Sequence, residues 1–118
     1  MIRVGKIFYF SAAHYLPGNK GPCANIHGHN YKLEVEVTGD IYQGMIIDFH
    51  LLKGVIERTI IDVYDHKSLN EFFDNPTAEN MVLKFATDIK KCLSTTINLT
   101  KLKLWETETC YAIWESKD

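Results

Sequence analysis

The stretch from His29 to Thr38 constrains the fold of this chain more than any other. There Tyr31, Leu33, Val35 and Val37 alternate with Asn30, Lys32, Glu34 and Glu36. Successive residues of a strand point to opposite faces, so the pattern describes a strand with one buried and one wet face. Such a strand belongs in a largely antiparallel sheet that is covered on one side only. A second strand is expected over residues 2–14, where Val4, Ile7, Phe8, Tyr9 and Phe10 favour a pleated surface. Between the two, Pro17, Gly18, Gly21 and Pro22 mark a loop over residues 15–25.

Two amphipathic helices supply the cover. Gly39-Asp40 and Gln43-Gly44 bracket a turn ahead of a short apolar run, Met45 to Ile47, and Asp48 is placed to cap the first helix. Behind it Leu52, Val55, Ile56, Thr59, Ile60 and Val63 recur at helical spacing. The second helix starts after Pro76-Thr77, with Thr77 as cap and Glu79 at the positive end of the helix dipole. Its apolar stripe is Ala78, Met81, Val82, Phe85, Ala86, Ile89 and Leu93. Strands over residues 99–106 and 109–115, joined by a tight connection, end the chain. The order β-β-α-α-β-β, without linker or repeat, predicts one α+β domain over residues 1–118: a four-stranded antiparallel sheet with both helices on one face.

With 46% hydrophobic and 24% charged residues, the chain has an ordinary globular composition. A formal net charge of -2 provides no general attraction to nucleic acid or anionic membrane. No signal-peptide pattern and no membrane-spanning run is found, and three cysteines at unrelated spacings argue against a disulfide framework. A cytoplasmic setting is therefore expected.

Chemistry concentrates in the histidines. His27 and His29 flank Gly28, and residues two apart on a strand share a face, so both rings can converge on one ion. His14 ends the preceding strand, where hairpin-like pairing brings it alongside. Three neutral imidazoles suit zinc and leave a fourth position open. A His-Gly-His is more often a loop with two solvated rings, but Cys23 nearby shifts the balance toward a metal. That cysteine either closes a structural Cys-His₃ site or stands beside an open zinc as acid, base or nucleophile, and spacing does not choose between these. Asp65-His66 is a second candidate pair, since a carboxylate can orient an imidazole for proton transfer. Glu106, next to Trp105, offers a carboxylate able to accept paired N–H bonds from a planar heterocycle. His50 reads as surface, and Cys92 and Cys110 as packing residues.

Taken together, Phe10-Ser11-Ala12-Ala13-His14, Cys23-Ala24-Asn25-Ile26-His27-Gly28-His29, Gly44-Met45-Ile46-Ile47-Asp48-Phe49, Asp65-His66-Lys67-Ser68-Leu69-Asn70, Asn75-Pro76-Thr77-Ala78-Glu79-Asn80 and Glu106-Thr107 occur in an order that resembles one family. It is that of the 6-pyruvoyltetrahydropterin and 6-carboxytetrahydropterin synthases, and the likeness runs over nearly the whole chain. The resemblance implies the tunnelling fold and a catalytic zinc on His14, His27 and His29. It makes Cys23 the catalytic base, Asp65 and His66 the rest of the proton-transfer machinery, and Glu106 the anchor of the pterin ring. It also implies a homohexamer of two stacked trimers with active sites at subunit interfaces, which spares Asp65-His66 from having to reach Cys23 within one chain.

Three residues separate Cys23 from His27, the spacing of the 6-carboxy branch of queuosine biosynthesis; the 6-pyruvoyl enzymes usually have a longer gap. The implied activity is that of a zinc-dependent lyase. It converts 7,8-dihydroneopterin triphosphate to 6-carboxy-5,6,7,8-tetrahydropterin with release of acetaldehyde and triphosphate. The alternatives are the 6-pyruvoyl reaction on the same substrate and a non-catalytic zinc- or pterin-binding module. Tyr15 stands where the family commonly has arginine, and Tyr64 where it has leucine. The triphosphate needs cationic partners that the sequence does not identify, Lys20 being the one guess.

Overall fold

The computed structural model describes residues 1–18 and 21–117. Its strands are β1 (Val4–His14), β2 (His27–Gly39), β3 (Lys67–Ser68), β4 (Ile97–Trp105) and β5 (Tyr111–Glu115). They form one sheet in the order β3-β1-β2-β4-β5. The sheet therefore has five strands where four are expected, because the two residues of β3 run parallel to β1 beside Ala12 and Ala13. Two residues carry no alternation, so periodicity cannot reveal such a strand. The other pairings are antiparallel. The alternating strand begins at His27 rather than His29, which brings both histidines onto it.

Helix α1 (Phe49–Ile56) passes directly into a π-helical stretch, Glu57–Ile61, and a last turn, Asp62–Tyr64. Helix α2 covers Ala78–Cys92. Asp48 accepts from the His50 backbone N–H and Thr77 from that of Asn80, so both expected caps form. Leu52, Ile56, Ile60 and Tyr64 are buried at four-residue intervals. The slower winding of a π stretch keeps such residues over one another where an α-helix would drift. Val55, Thr59 and Val63 are only half-buried. In α2 the expected stripe from Ala78 to Ile89 is buried as a whole, and Leu93 packs at its edge.

One sheet face is the core. It carries Phe8, Phe10 and Ala12 of β1, Tyr31, Leu33, Val35 and Val37 of β2, and Leu99, Leu102 and Leu104 of β4. Leu99 and Leu102 can both point inward because the β2–β4 register shifts between Glu36 and Val37, leaving Thr100 as an extra residue on β4. Its hydroxyl donates to the Glu36 carbonyl. From there the even-numbered residues of β4 face the core.

Gln43 and Gly44 hold positive φ at the tip of the Tyr42–Met45 turn, the geometry that favours glycine in a two-residue hairpin. Cys92 and Cys110 are exposed and not packed as expected. Each lies at the end of an element, Cys92 as the last residue of α2 and Cys110 just ahead of β5. His50 is exposed, as read from the sequence. Among the described residues, no helix is long and apolar enough to cross a membrane.

Candidate metal centre

The buried face does not stay apolar to its end. Along β2 the inward residues run Val37, Val35, Leu33 and Tyr31, and then His29 and His27. His14 pairs directly with His27, and Ala12 with His29, so all three histidines share the inward face. Just past the end of β4, the next even residue after Leu102 and Leu104 is Glu106. It joins them: one ligand atom from each of His14, His27, His29 and Glu106 lies within 4.8 Å of all the others.

The distances show what the cluster wants. His14 Nε2 lies 3.2 Å from His27 Nε2. Glu106 Oε1 lies 3.2 Å from His14 Nε2 and 3.0 Å from His29 Nε2. His14 Nδ1–H donates to the Pro76 carbonyl at 2.9 Å, with the Tyr31 hydroxyl 3.3 Å away. His27 Nδ1–H donates to the Asn25 carbonyl at 2.7 Å. A carbonyl oxygen can only accept, so each Nδ1 carries the proton and each neutral ring turns a lone pair on Nε2 inward. Lone pairs at this separation repel unless a cation stands between them.

Ring N–H bonds to backbone carbonyls are the outer support of metal-bound histidines. The edge of a tetrahedron of Zn–N bonds of about 2.0–2.1 Å is about 3.3–3.4 Å, close to the spacing found here. His29 Nε2 adds independent support, because it is buried and makes no aligned hydrogen bond despite its 3.0 Å approach to Glu106. Such an orphaned acceptor needs a partner. The residues present therefore fit a zinc ion.

The electrostatics agree. Contact with His14 above all, and with the neighbouring imidazoles, holds the Glu106 carboxyl below its ordinary value against the opposing effect of burial. Burial, more than anything else, pushes His29 below 6.5, with His14 and His27 adding to the effect and Glu106 opposing it. Burial thus disfavours a proton on His29 itself. Burial likewise pushes the Tyr31 hydroxyl up, keeping it neutral beside His14.

Asp65 and His66 sit on the neighbouring edge. Asp65 Oδ1 accepts from the Ser11 backbone N–H at 2.9 Å, which is the main reason its carboxyl lies below 3.8. Its Oδ2 lies 3.0 Å from His66 Nδ1. His66 adopts φ 60°, and its backbone N–H donates to the Ser11 carbonyl at 2.6 Å. A non-glycine residue held in the left-handed region costs about 1–3 kcal/mol and is found most often at functional sites. His66 and His29 line the same open cavity of about 470 Å³, together with Ser11, Asn30 and Lys67. That cavity is lined by neither His14, His27 nor Glu106.

Cys23 lies half-buried in a short 3₁₀ turn, Pro22–Ala24, and its carbonyl accepts from the Leu16 backbone N–H at 2.7 Å. It stands outside the cluster of His14, His27, His29 and Glu106. Lys20 lies outside the described residues. Tyr15 is exposed, its backbone held on both sides by Asn70 at 3.0 Å. Tyr64, in place of leucine, is buried against Phe72, Phe73 and Phe85.

Sequence reasoning missed Glu106 as a member of the cluster and the carbonyls of Pro76 and Asn25 as its supports. The signal for Glu106 was its two-residue spacing from Leu102 and Leu104. The carbonyls left none.

The family described as 6-pyruvoyl tetrahydropterin synthase matches residues 3–117. A 6-carboxy-5,6,7,8-tetrahydropterin synthase of Haemophilus influenzae is 45% identical over 71 residues, 56% of this chain but only half of that protein. One of the same name from Rickettsia typhi is 30% identical over an alignment of 135 residues, covering 94% of this chain and 98% of the other. A dihydroneopterin monophosphate aldolase of Pyrococcus furiosus is 42% identical over 81 residues, 69% of this chain and 70% of that one. The solved 6-pyruvoyl tetrahydropterin synthase of Caenorhabditis elegans superimposes with a TM-score of 0.87 at 28% identity, over 98% of this chain and 96% of that one. With a family match across almost its whole length and the same fold, this chain belongs to the 6-pyruvoyl tetrahydropterin synthase family.

Proposed function

We propose that this chain is a zinc-dependent lyase that converts 7,8-dihydroneopterin triphosphate to 6-carboxy-5,6,7,8-tetrahydropterin, releasing acetaldehyde and triphosphate, in queuosine biosynthesis. The carrying observation is the convergence of the His14, His27 and His29 ring nitrogens on one point, with the outer nitrogens of His14 and His27 tied to backbone. When bound there, zinc supplies Lewis-acid polarisation of the substrate's side-chain oxygens and acidifies the adjoining carbon-bound protons.

The chain's own groups do the rest. Glu106 accepts paired N–H bonds from the amino-pyrimidine edge of the pterin, and its position against His14 and His29 holds that edge beside the metal. Cys23 removes a proton from the side chain. His66, its Nδ1 oriented by Asp65, delivers or relays a proton as the side chain is cleaved. The three-residue gap between Cys23 and His27 favours the 6-carboxy product over the 6-pyruvoyl one, and two of the relatives carry the 6-carboxy name.

A second reading, aldol cleavage of dihydroneopterin monophosphate, draws on the Pyrococcus furiosus relative. It needs the same zinc and proton transfers but no triphosphate elimination. We place the enzyme in the cytoplasm as a hexamer of two stacked trimers. Exposed Ile7, Tyr9, Tyr111 and Ile113 on the uncovered sheet face offer apolar surface for such an assembly.

Mass spectrometry of products from the zinc-loaded protein tests the assignment. With 7,8-dihydroneopterin triphosphate, 6-carboxytetrahydropterin and acetaldehyde are expected. A 6-pyruvoyl product without acetaldehyde would overturn the branch. Turnover of dihydroneopterin monophosphate alone would install the aldolase reading, and no conversion of either substrate would leave a non-catalytic binding module.

A further inference from the structure

We propose that Asn80 is a positioning residue for the metal centre, acting through Asn75 and Pro76 to aim the carbonyl that fixes the ring of His14. The inference rests on the metal reading of the histidine cluster and adds to it a device that no ligand-binding side chain reveals.

The route is short. Asn80 Nδ2 donates to the Asn75 carbonyl at 2.9 Å. The Thr77 backbone N–H donates to that same oxygen at 2.9 Å, which closes a three-residue turn centred on Pro76. Proline's fixed φ suits the middle of such a turn. Pro76 is buried, and its carbonyl accepts from His14 Nδ1–H at 2.9 Å. His14 is the ligand through which the cluster is joined, since its Nε2 meets both His27 and Glu106. A shift of the Pro76 carbonyl therefore turns the ring at the centre of the site.

The helix cap alone does not explain Asn80. Its backbone N–H already donates to Thr77 Oγ1 at 3.1 Å, which completes the cap without the side chain. In a capping box the residue at this position is Glu or Gln, and it reaches back to the N–H of the cap residue. Here the Thr77 N–H is given to Asn75 instead, and the amide of Asn80 donates to the same acceptor. The side chain thus braces the turn before the helix while the backbone holds the helix itself.

Two substitutions separate these roles. Asn80→Asp keeps size and suits the first turn of a helix, but it replaces the donor with a carboxylate facing a carbonyl. Thr77→Ala removes the cap hydroxyl and leaves the Asn75–Pro76–Thr77 turn intact. Zinc affinity by chelator competition, the visible absorption of the Co²⁺-loaded protein, and the melting temperature of the metal-free chain are measured for both. Asn80→Asp is expected to bind zinc about 10–100-fold more weakly, the usual loss on removing an outer support, and to alter the Co²⁺ spectrum while still melting as the parent does. Thr77→Ala is expected to melt at lower temperature with affinity and spectrum retained. Asn80→Ala, which adds no charge, should weaken binding in the same direction as Asn80→Asp.

Parental affinity and spectrum in both Asn80 variants would overturn the positioning role alone. So would affinity that falls in step with melting temperature across all three variants. A parent chain that binds neither ion would overturn the metal reading, and the positioning role with it.

Discussion

His14 shows how a strand residue becomes a ligand. Its ring is fixed on one side by the Pro76 carbonyl and meets His27 and Glu106 on the other. The pairing of His27 with His29 was legible in the sequence, because residues two apart on a strand must share a face. Glu106 reads only as a lone carboxylate, although its two-residue spacing from Leu102 and Leu104 puts it on their face. Asp65 and His66 belong to the same scale. His66→Ala is expected to lower turnover by about 10²-fold or more while zinc content stays the same, measured by steady-state kinetics beside metal analysis. Asp65 also carries a pH signature. Its carboxyl is held below 3.8 in the folded chain, chiefly by the Ser11 N–H, so the stability it contributes is present above that pH and is lost as pH falls through the lower native value. Denaturant titrations at stepwise lower pH should therefore show a shallower acid loss in Asp65→Asn than in the parent; equal slopes would contradict this.

At the scale of elements, the caps at Asp48 and Thr77, the α2 stripe and the alternating strand were all readable, because each rests on local pattern and the structure keeps it. What escaped depends on tertiary context. The parallel strand β3 exists because Asp65 and His66 dock on Ser11 and carry the next two residues along β1. The π stretch reflects a four-residue spacing of buried side chains that ends on Tyr64. Asn70 belongs to this scale too. It holds the Tyr15 backbone by two hydrogen bonds, so the chain leaving His14 is fastened to the segment just after β3. Asn70→Ala should cost about 1–2 kcal/mol in denaturant unfolding, from two modest hydrogen bonds, and should weaken zinc binding as well.

Among the described residues, the apolar core runs the length of the sheet and the histidine–carboxylate cluster only closes one end. The metal-free chain is thus expected to remain folded, unlike a small domain built around structural zinc. Zinc at about 100 times its dissociation constant should add about 2.7 kcal/mol and raise the melting temperature by several degrees, which calorimetry with and without chelator will show. Unfolding on chelation would contradict an open, catalytic site. Cys23 stands outside the group of His14, His27, His29 and Glu106.

Cys23→Ala therefore provides the most direct test of the central claim, by zinc stoichiometry and turnover of 7,8-dihydroneopterin triphosphate measured on one preparation. The account predicts a folded variant that keeps one zinc per chain and no longer converts substrate. Loss of the metal in that variant, or turnover equal to the parent's, would contradict it.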